Sequence, residues 1–189
     1  MRVMLVDDDE RRATLLAQTL CAAGHQLVAR VSTRDALLAE VAAHQPDIVL
    51  IDVDAPSRDT LESLSAISRE RPRPIVLFAN TGDAQTIRRA LRAGVSAYVV
   101  DGLSAARLQP VIEVAIARFE EFQSLRHELE DARLKLADRR DVEKAKGLLM
   151  KRRGLDEPAA HELLRRMAMD RNLRIGDAAR ALLAAAELL

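Results

Sequence analysis

Aromatic side chains are nearly missing from this sequence of 189 residues: Phe78, Tyr98, Phe119 and Phe122 are the complete set. Nothing after Phe122 carries a ring, so the C-terminal part has no stacking platform for nucleobases. Cysteine occurs once, as Cys21, which excludes an internal disulfide and suits a reducing compartment. That residue is expected as a small buried apolar group on the first helix. Net charge is absent too, with 29 Lys and Arg against 29 Asp and Glu. The balance excludes a globally basic nucleic-acid binder but leaves room for a local basic face. No run approaches the ~18 apolar residues of a membrane span. The opening MRVMLVDDDE turns acidic too early for the apolar core of a signal peptide. A soluble, cytoplasmic protein without membrane contact is expected. His25, His44, His127 and His161 lack metal-ligand spacing and no nucleophile motif is present, so an enzyme is not expected.

What is present in the first half is alternation. Val3 to Val6 is an apolar run ending on Asp7, Asp8 and Asp9, read as a strand followed by a helix that starts on acids. That helix carries Leu16 and Leu20 on one face and stops at Gly24. Gln26 to Val31 is a strand, and Ser32 with Asp35 has capping-box-like spacing before a helix ending near His44. Asp47 to Ile51, ending on Asp52, is a strand, and Leu61 to Glu70 a helix. Ile75 to Ala79 is a strand, Ala84 to Arg92 a helix closed by Gly94, and Ala97 to Val100 a fifth strand. Such alternation implies a parallel sheet covered by helices on both faces, of the flavodoxin-like α/β class. In the order 2-1-3-4-5 the carboxyl ends of strands one and three adjoin. Asp7, Asp8 and Asp52 would then meet in one crevice, where close carboxylates require a divalent cation such as Mg²⁺ or raised pKa values.

These positions resemble the receiver domain of bacterial response regulators over residues 1–117. The family's acidic pair is matched by Asp7 and Asp8, its phosphoacceptor by Asp52, and a loop proline by Pro56. Two family positions depart: the Ser or Thr ending the fourth strand is Ala79, and the Lys after the fifth is Asp101, in YVVDG. The hydroxyl and the cation that would hold a phosphoryl group are both replaced, and Asp54 and Asp101 add negative charge. Thr81 lies beyond the strand end, poorly placed to substitute. The resemblance with these departures implies a pseudo-receiver, folded like a phosphorylation switch but controlled otherwise.

From Ser104 no Gly- or Ser-rich linker interrupts the chain before Arg153. Phe122, Leu125, Leu129, Ala132 and Leu136 follow a 3-4 spacing with charged flanks, a coiled-coil seam over 118–140 of about two and a half heptads. It fits a homodimer or a helix packed within one chain. Three helices follow, the first continuous with the connector through Val142, Ala145, Leu149 and Met150. Gly154 breaks it, Asp156 caps a second helix with Pro158 in its first turn, and Asn172 ends that helix before a third, Ile175 to Leu189. Met150, Met167 and Met169 are expected in the core of this small three-helix bundle.

AKGLLM followed by GLDEPAAHELLRRMAM is similar to the ANTAR domain, the RNA-binding antiterminator module of some response regulators. Ala145, Lys146, Gly147, Met150, Ala160, Leu164, Arg165, Ala168 and Met169 carry the resemblance, which spans roughly residues 128–187. The resemblance implies binding of leader RNA stem-loops through Lys144, Lys146, Lys151, Arg152, Arg153, Arg165 and Arg166. YVVDG and LFANTGD look most like the nitrate-assimilation regulators of the family, which implies a nitrate-sensing partner protein. Read alone, each basic residue is an ordinary solvated side chain. A DNA-binding response regulator or a protein-interaction scaffold remains the alternative.

Overall fold

The computed structural model describes residues 1–100 and 105–187, so Asp101 lies outside the described residues. Two compact units divide the chain, Met1–Phe122 and Gln123–Leu189.

In the first unit β1 (Arg2–Asp7), β2 (Gln26–Val31), β3 (Ile48–Val53), β4 (Ile75–Ala79) and β5 (Ala97–Val100) form one sheet. Every pairing is parallel and the order is β2-β1-β3-β4-β5. Between the strands run α1 (Glu10–Ala22), α2 (Leu37–His44), α3 (Arg58–Glu70) and α4 (Ala84–Arg92). Because side chains alternate across a strand, each strand serves two cores. Met4, Val6, Val49 and Ile51 pack with Leu37, Leu64, Ile67 and Ala90 from α2, α3 and α4. Val3, Leu5, Leu50 and Phe78 pack with Leu16 and Leu20 of α1 and with Leu108 and Ile112 of α5 (Ala105–Arg153). Covered on both faces, β3 is buried along its whole length, which explains its unbroken apolar run.

Helix starts are set by side chains in the loops. Asp9, Ser57 and Asp83 cap α1, α3 and α4 by accepting backbone N–H bonds. The second helix departs from expectation. Asp35 does accept from the Ser32 amide at 2.6 Å, but this closes a turn ahead of α2, whose N-cap Ala36 has no side-chain bond. Ser32 Oγ is engaged elsewhere, as described below. Cys21 also differs: it is exposed, because Ala13, Leu16 and Leu20 define the inward face of α1.

The second unit holds the C-terminal part of α5 with α6 (Glu157–Asp170) and α7 (Ile175–Glu187). Gly154 and Asn172, at φ 65° and 53°, take the left-handed conformation that ends a helix. Asp156 caps α6 by accepting from the Ala159 amide at 2.9 Å. The buried cluster is Ala145, Leu149, Ala160, Leu164, Ala168, Ala178 and Ala179. Met169 is not in it but 66% exposed, and Met150 is 38% exposed. Position 169 lies four and three residues after Arg165 and Arg166 and so shares their exposed side of α6, about 100° round the helix from the buried Ala160–Leu164–Ala168 seam.

On the connector, Leu125, Leu129 and Leu136 are 54%, 51% and 60% exposed. The reading as a helix packed within one chain is therefore not realised at these positions. Among the described residues no helix is long and apolar enough to cross a membrane.

Candidate functional site: an acidic pocket and a basic helical face

The parallel register sets Asp7 directly beside Asp52 at the carboxyl ends of β1 and β3. Both are buried. Two buried neighbouring carboxylates repel unless a cation joins them, and here the cation comes from the chain itself. Arg12, in the first turn of α1, reaches back over the strand ends. Its Nε and Nη2 donate to Asp7 Oδ2 and Oδ1 at 2.9 and 2.8 Å, a two-pronged pair. Nη2 also donates to the Asp52 carbonyl at 3.3 Å, while Nε lies 3.6 Å from Asp52 Oδ2 and Nη1 3.5 Å from Asp54 Oδ1. One guanidinium thus touches three carboxylates. Asp7 is further held by the Asp9 amide at 2.8 Å.

The expected meeting of Asp7, Asp8 and Asp52 around a divalent cation is not what the fold builds. Asp8 turns away: Ser32 Oγ and Thr33 Oγ1 each donate to it at 2.6 Å, and the Thr33 amide at 2.9 Å. Burial works against its charge, yet these bonds hold its carboxyl below the usual range. Among the described residues no group of three His, Cys, Asp or Glu is arranged to hold a metal ion. Asp52 behaves differently. Burial, with help from Asp7 and Asp54 and against the pull of Arg12, pushes its carboxyl up to about 6.

Asp54 is mostly exposed and accepts from Asn80 Nδ2 at 2.7 Å. Ala79, paired with Val53 and Val100, is fully buried and offers no hydroxyl. Thr81 contributes its carbonyl, which accepts from Tyr98 Oη at 2.7 Å. A cleft of about 660 Å³ opens over the pocket between Asp8, Arg12, Thr33 and Thr60. Arg12, Ser32, Thr33 and Asn80 were not among the residues expected here. The sequence signal for Arg12 was its place one turn into a helix that begins at the end of β1, which aims it back at the strand ends.

In the second unit the basic residues divide. Lys144, Lys151 and Arg153 are exposed and, among the described residues, form no ion pair. Arg165 and Arg166 are exposed on α6 and lie 3.7 and 3.9 Å from Glu162. Arg152 donates to the Ala186 carbonyl at 3.2 Å, which ties the end of α5 to α7. Lys146 corrects the expectation: it is buried, with Nζ 2.8 Å from Glu143 and 2.7 Å from Glu157. It fastens α5 to α6, and its buried ammonium is already paired with two carboxylates. Arg140, not expected, shares a helix face with Lys144, Gly147 and Lys151 by their spacing of four, three and four residues. At the centre of that face a Cβ added to Gly147 would meet nothing within 4 Å.

This geometry has counterparts. Residues 3–113 match the model of the response regulator receiver domain, and residues 130–183 that of the ANTAR domain. The transcriptional regulatory protein PdtaR of Mycobacterium tuberculosis is 35% identical over 170 residues, covering 90% of this chain and 83% of PdtaR. The receiver domain of a modulated diguanylate cyclase from Desulfovibrio desulfuricans G20 superposes at TM-score 0.54 with 24% identity, over 63% of this chain and 95% of that one. NtrX of Brucella abortus superposes at 0.51 with 29% identity, over 70% of this chain and 29% of NtrX. With a five-stranded receiver fold, its acidic strand ends, and an ANTAR domain following on one continuous helix, the chain belongs to the ANTAR response regulators, a regulatory and non-enzymatic family.

Proposed function

We propose that the chain is an RNA-binding transcription antiterminator that grips stem-loops of a leader mRNA and keeps a terminator from forming. The observation that carries this reading is the exposed face of Arg140, Lys144, Gly147 and Lys151 on α5; Arg153, Arg165 and Arg166 are further exposed cations of the same unit. Its lysines are free of carboxylate partners among the described residues, so they can neutralise phosphates. Glycine inside a helix costs about 1 kcal/mol against alanine. The open space at Gly147 gives no internal packing reason to accept that cost, whereas close approach of a nucleic-acid backbone gives one. Loop bases splayed from a hairpin are the specific target, since an RNA duplex hides its base edges. With no ring after Phe122, arginine planes take the part of stacking partners.

The exposed Leu125, Leu129 and Leu136 seam supports a homodimer through the connector, which would present two such faces to paired hairpins. YVVDG and LFANTGD look most like the nitrate-assimilation regulator NasT, and we read the chain as acting in that way. On that reading it acts in the cytoplasm on nitrate and nitrite assimilation genes, and a NasS-like nitrate-sensing protein holds it until nitrate releases it. A pseudo-receiver, whose Ala79 lacks the switching hydroxyl, suits control by a partner.

Filter binding of the full chain to leader hairpin RNA and to duplex DNA of the same sequence tests this over a series of salt concentrations. RNA is expected to be preferred, with affinity falling as salt rises. Lys144→Glu with Lys151→Glu is expected to weaken RNA binding by tenfold or more, roughly the loss of two phosphate contacts. Arg152 is avoided because its bond to Ala186 makes it structural. Preference for the DNA duplex, or RNA binding indifferent to both salt and the double substitution, would reject the reading.

A further inference from the structure

The cation expected at the strand ends of a receiver is Mg²⁺, and the residues present here do not fit it. A magnesium ion demands oxygen ligands at about 2.0–2.1 Å in octahedral array and keeps several waters. Both Asp7 oxygens are taken by the Arg12 fork, at 2.8 and 2.9 Å, and Oδ1 is shared with the Asp9 amide. The guanidinium lies between Asp7 and Asp52, where an ion would have to stand to touch both. Asp8, which would complete a three-carboxylate site, is turned out to Ser32 and Thr33.

We propose that Arg12 is a built-in replacement for the divalent cation, its guanidinium neutralising Asp7, Asp52 and Asp54 together and closing the pocket to metal. The local sequence makes this arrangement stable. Asp9 caps α1 by accepting from the amides of Arg11 and Arg12 at 2.8 and 3.0 Å, so the backbone of Arg12 is fixed before its side chain turns. The fork pairs with Asp7 in the planar geometry that suits arginine and not lysine. A guanidinium cannot dissociate as an aquated ion does, so the pocket's charge is set by the chain and not by the metal content of the medium. The pocket then lacks the exchangeable cation a phosphoryl group would share with the protein. This inference concerns the first unit alone and stands or falls apart from RNA binding by the second.

Calorimetric titration of MgCl₂ into the full chain, with thermal melting alongside, decides it. The unsubstituted chain is expected to show no saturable heat and no Mg²⁺-dependent rise in Tm. Arg12→Gln removes the charge and the fork while keeping a shorter polar side chain. It is expected to gain a saturable Mg²⁺ site, at least about tenfold tighter than any binding by the parent, with a Tm that climbs with ligand as mass action requires. Asp52→Asn added to Arg12→Gln is expected to abolish that site. A saturable, Asp52-dependent Mg²⁺ site in the unsubstituted chain would overturn the proposal whatever the variants do. So would a folded Arg12→Gln protein that still takes no Mg²⁺. Should Arg12→Gln fail to fold at low ionic strength, Arg12→Lys supplies the second measurement. Its point charge cannot fork across Asp7 and reach Asp52 and Asp54, so Mg²⁺ is expected to displace it, and equal indifference to Mg²⁺ in that variant would overturn the proposal.

Discussion

The two units solve the problem of internal contact in opposite ways. The first buries a sheet of Val, Leu, Ile, Met4 and Phe78 between two helical layers, and gathers its buried carboxylates, Asp7 and Asp52, at the strand ends. The second buries mainly alanine with Leu149 and Leu164, so its helices approach closely but hide little apolar area. It compensates with ionic ties. Arg180 of α7 donates to Asp138 of α5 and to Asp177 at 2.6 Å each, with Asp141 at 3.4 Å, and Lys146 bridges Glu143 and Glu157. The thin core is crossed by few apolar contacts, whereas the thick one positions three carboxylates around one guanidinium.

Cutting a leucine from each core gives the largest contrast. Leu50→Ala and Leu164→Ala each remove a fully buried side chain, at an expected cost of about 2–5 kcal/mol. The receiver is expected to survive that loss and the helical unit is not. Calorimetric melting should show the transition of the second unit lost in Leu164→Ala, with that of the first unmoved. Comparable depression of both transitions would erase the distinction drawn here.

Next comes the pocket. Asp52, pushed up to about 6 from the ordinary 3.8, binds its proton more tightly folded than unfolded. Its contribution to stability is therefore undiminished below about pH 4, falls as pH rises to about 6, and stays lowered above, by up to about 3 kcal/mol. Urea unfolding of the chain and of Asp52→Asn, compared between pH 4.5 and 7.5, should show the variant gaining ground as pH rises. A pH-independent difference would mean that Arg12 offsets the burial of Asp52 entirely.

The ionic ties of the second unit are tested at Gly176. A Cβ there would overlap the Asp138 carboxylate, which is pinned by Arg180. Gly176→Ala is expected to destabilise that unit by about 1–3 kcal/mol, and the penalty should shrink in Asp138→Ala. Smallest is Gly147→Ala. With nothing within 4 Å of its Cβ, alanine is expected to raise helical stability by about 1 kcal/mol while weakening hairpin RNA binding. Unchanged RNA affinity would remove Gly147 from the proposed interface.

Local pattern settled a good deal before any tertiary contact was considered. Apolar runs marked five strands, and the Asp156 cap with Gly24, Gly94, Gly154 and Asn172 punctuated the helices, because these signals act within a few residues. Asp7 and Asp52 could be brought together on paper because the carboxyl ends of adjacent parallel strands must adjoin. The direction of a side chain was another matter. Asp8 is taken by Ser32 and Thr33, more than twenty residues on, Asp54 by Asn80, and Lys146 by Glu157 across a helix boundary. Cys21 and Met169 face outward because helix rotation is set by what the neighbouring elements bury. Sequence alone determined that a five-stranded α/β unit would be followed by a set of helices, since periodicity and helix punctuation are written locally, while the likeness to receiver and ANTAR domains lay in motif residues such as Asp7, Asp52 and Lys146. Only the tertiary structure decided that Arg12 would stand among the carboxylates, because that choice depends on the ends of β1 and β3, far apart in the chain, being brought side by side.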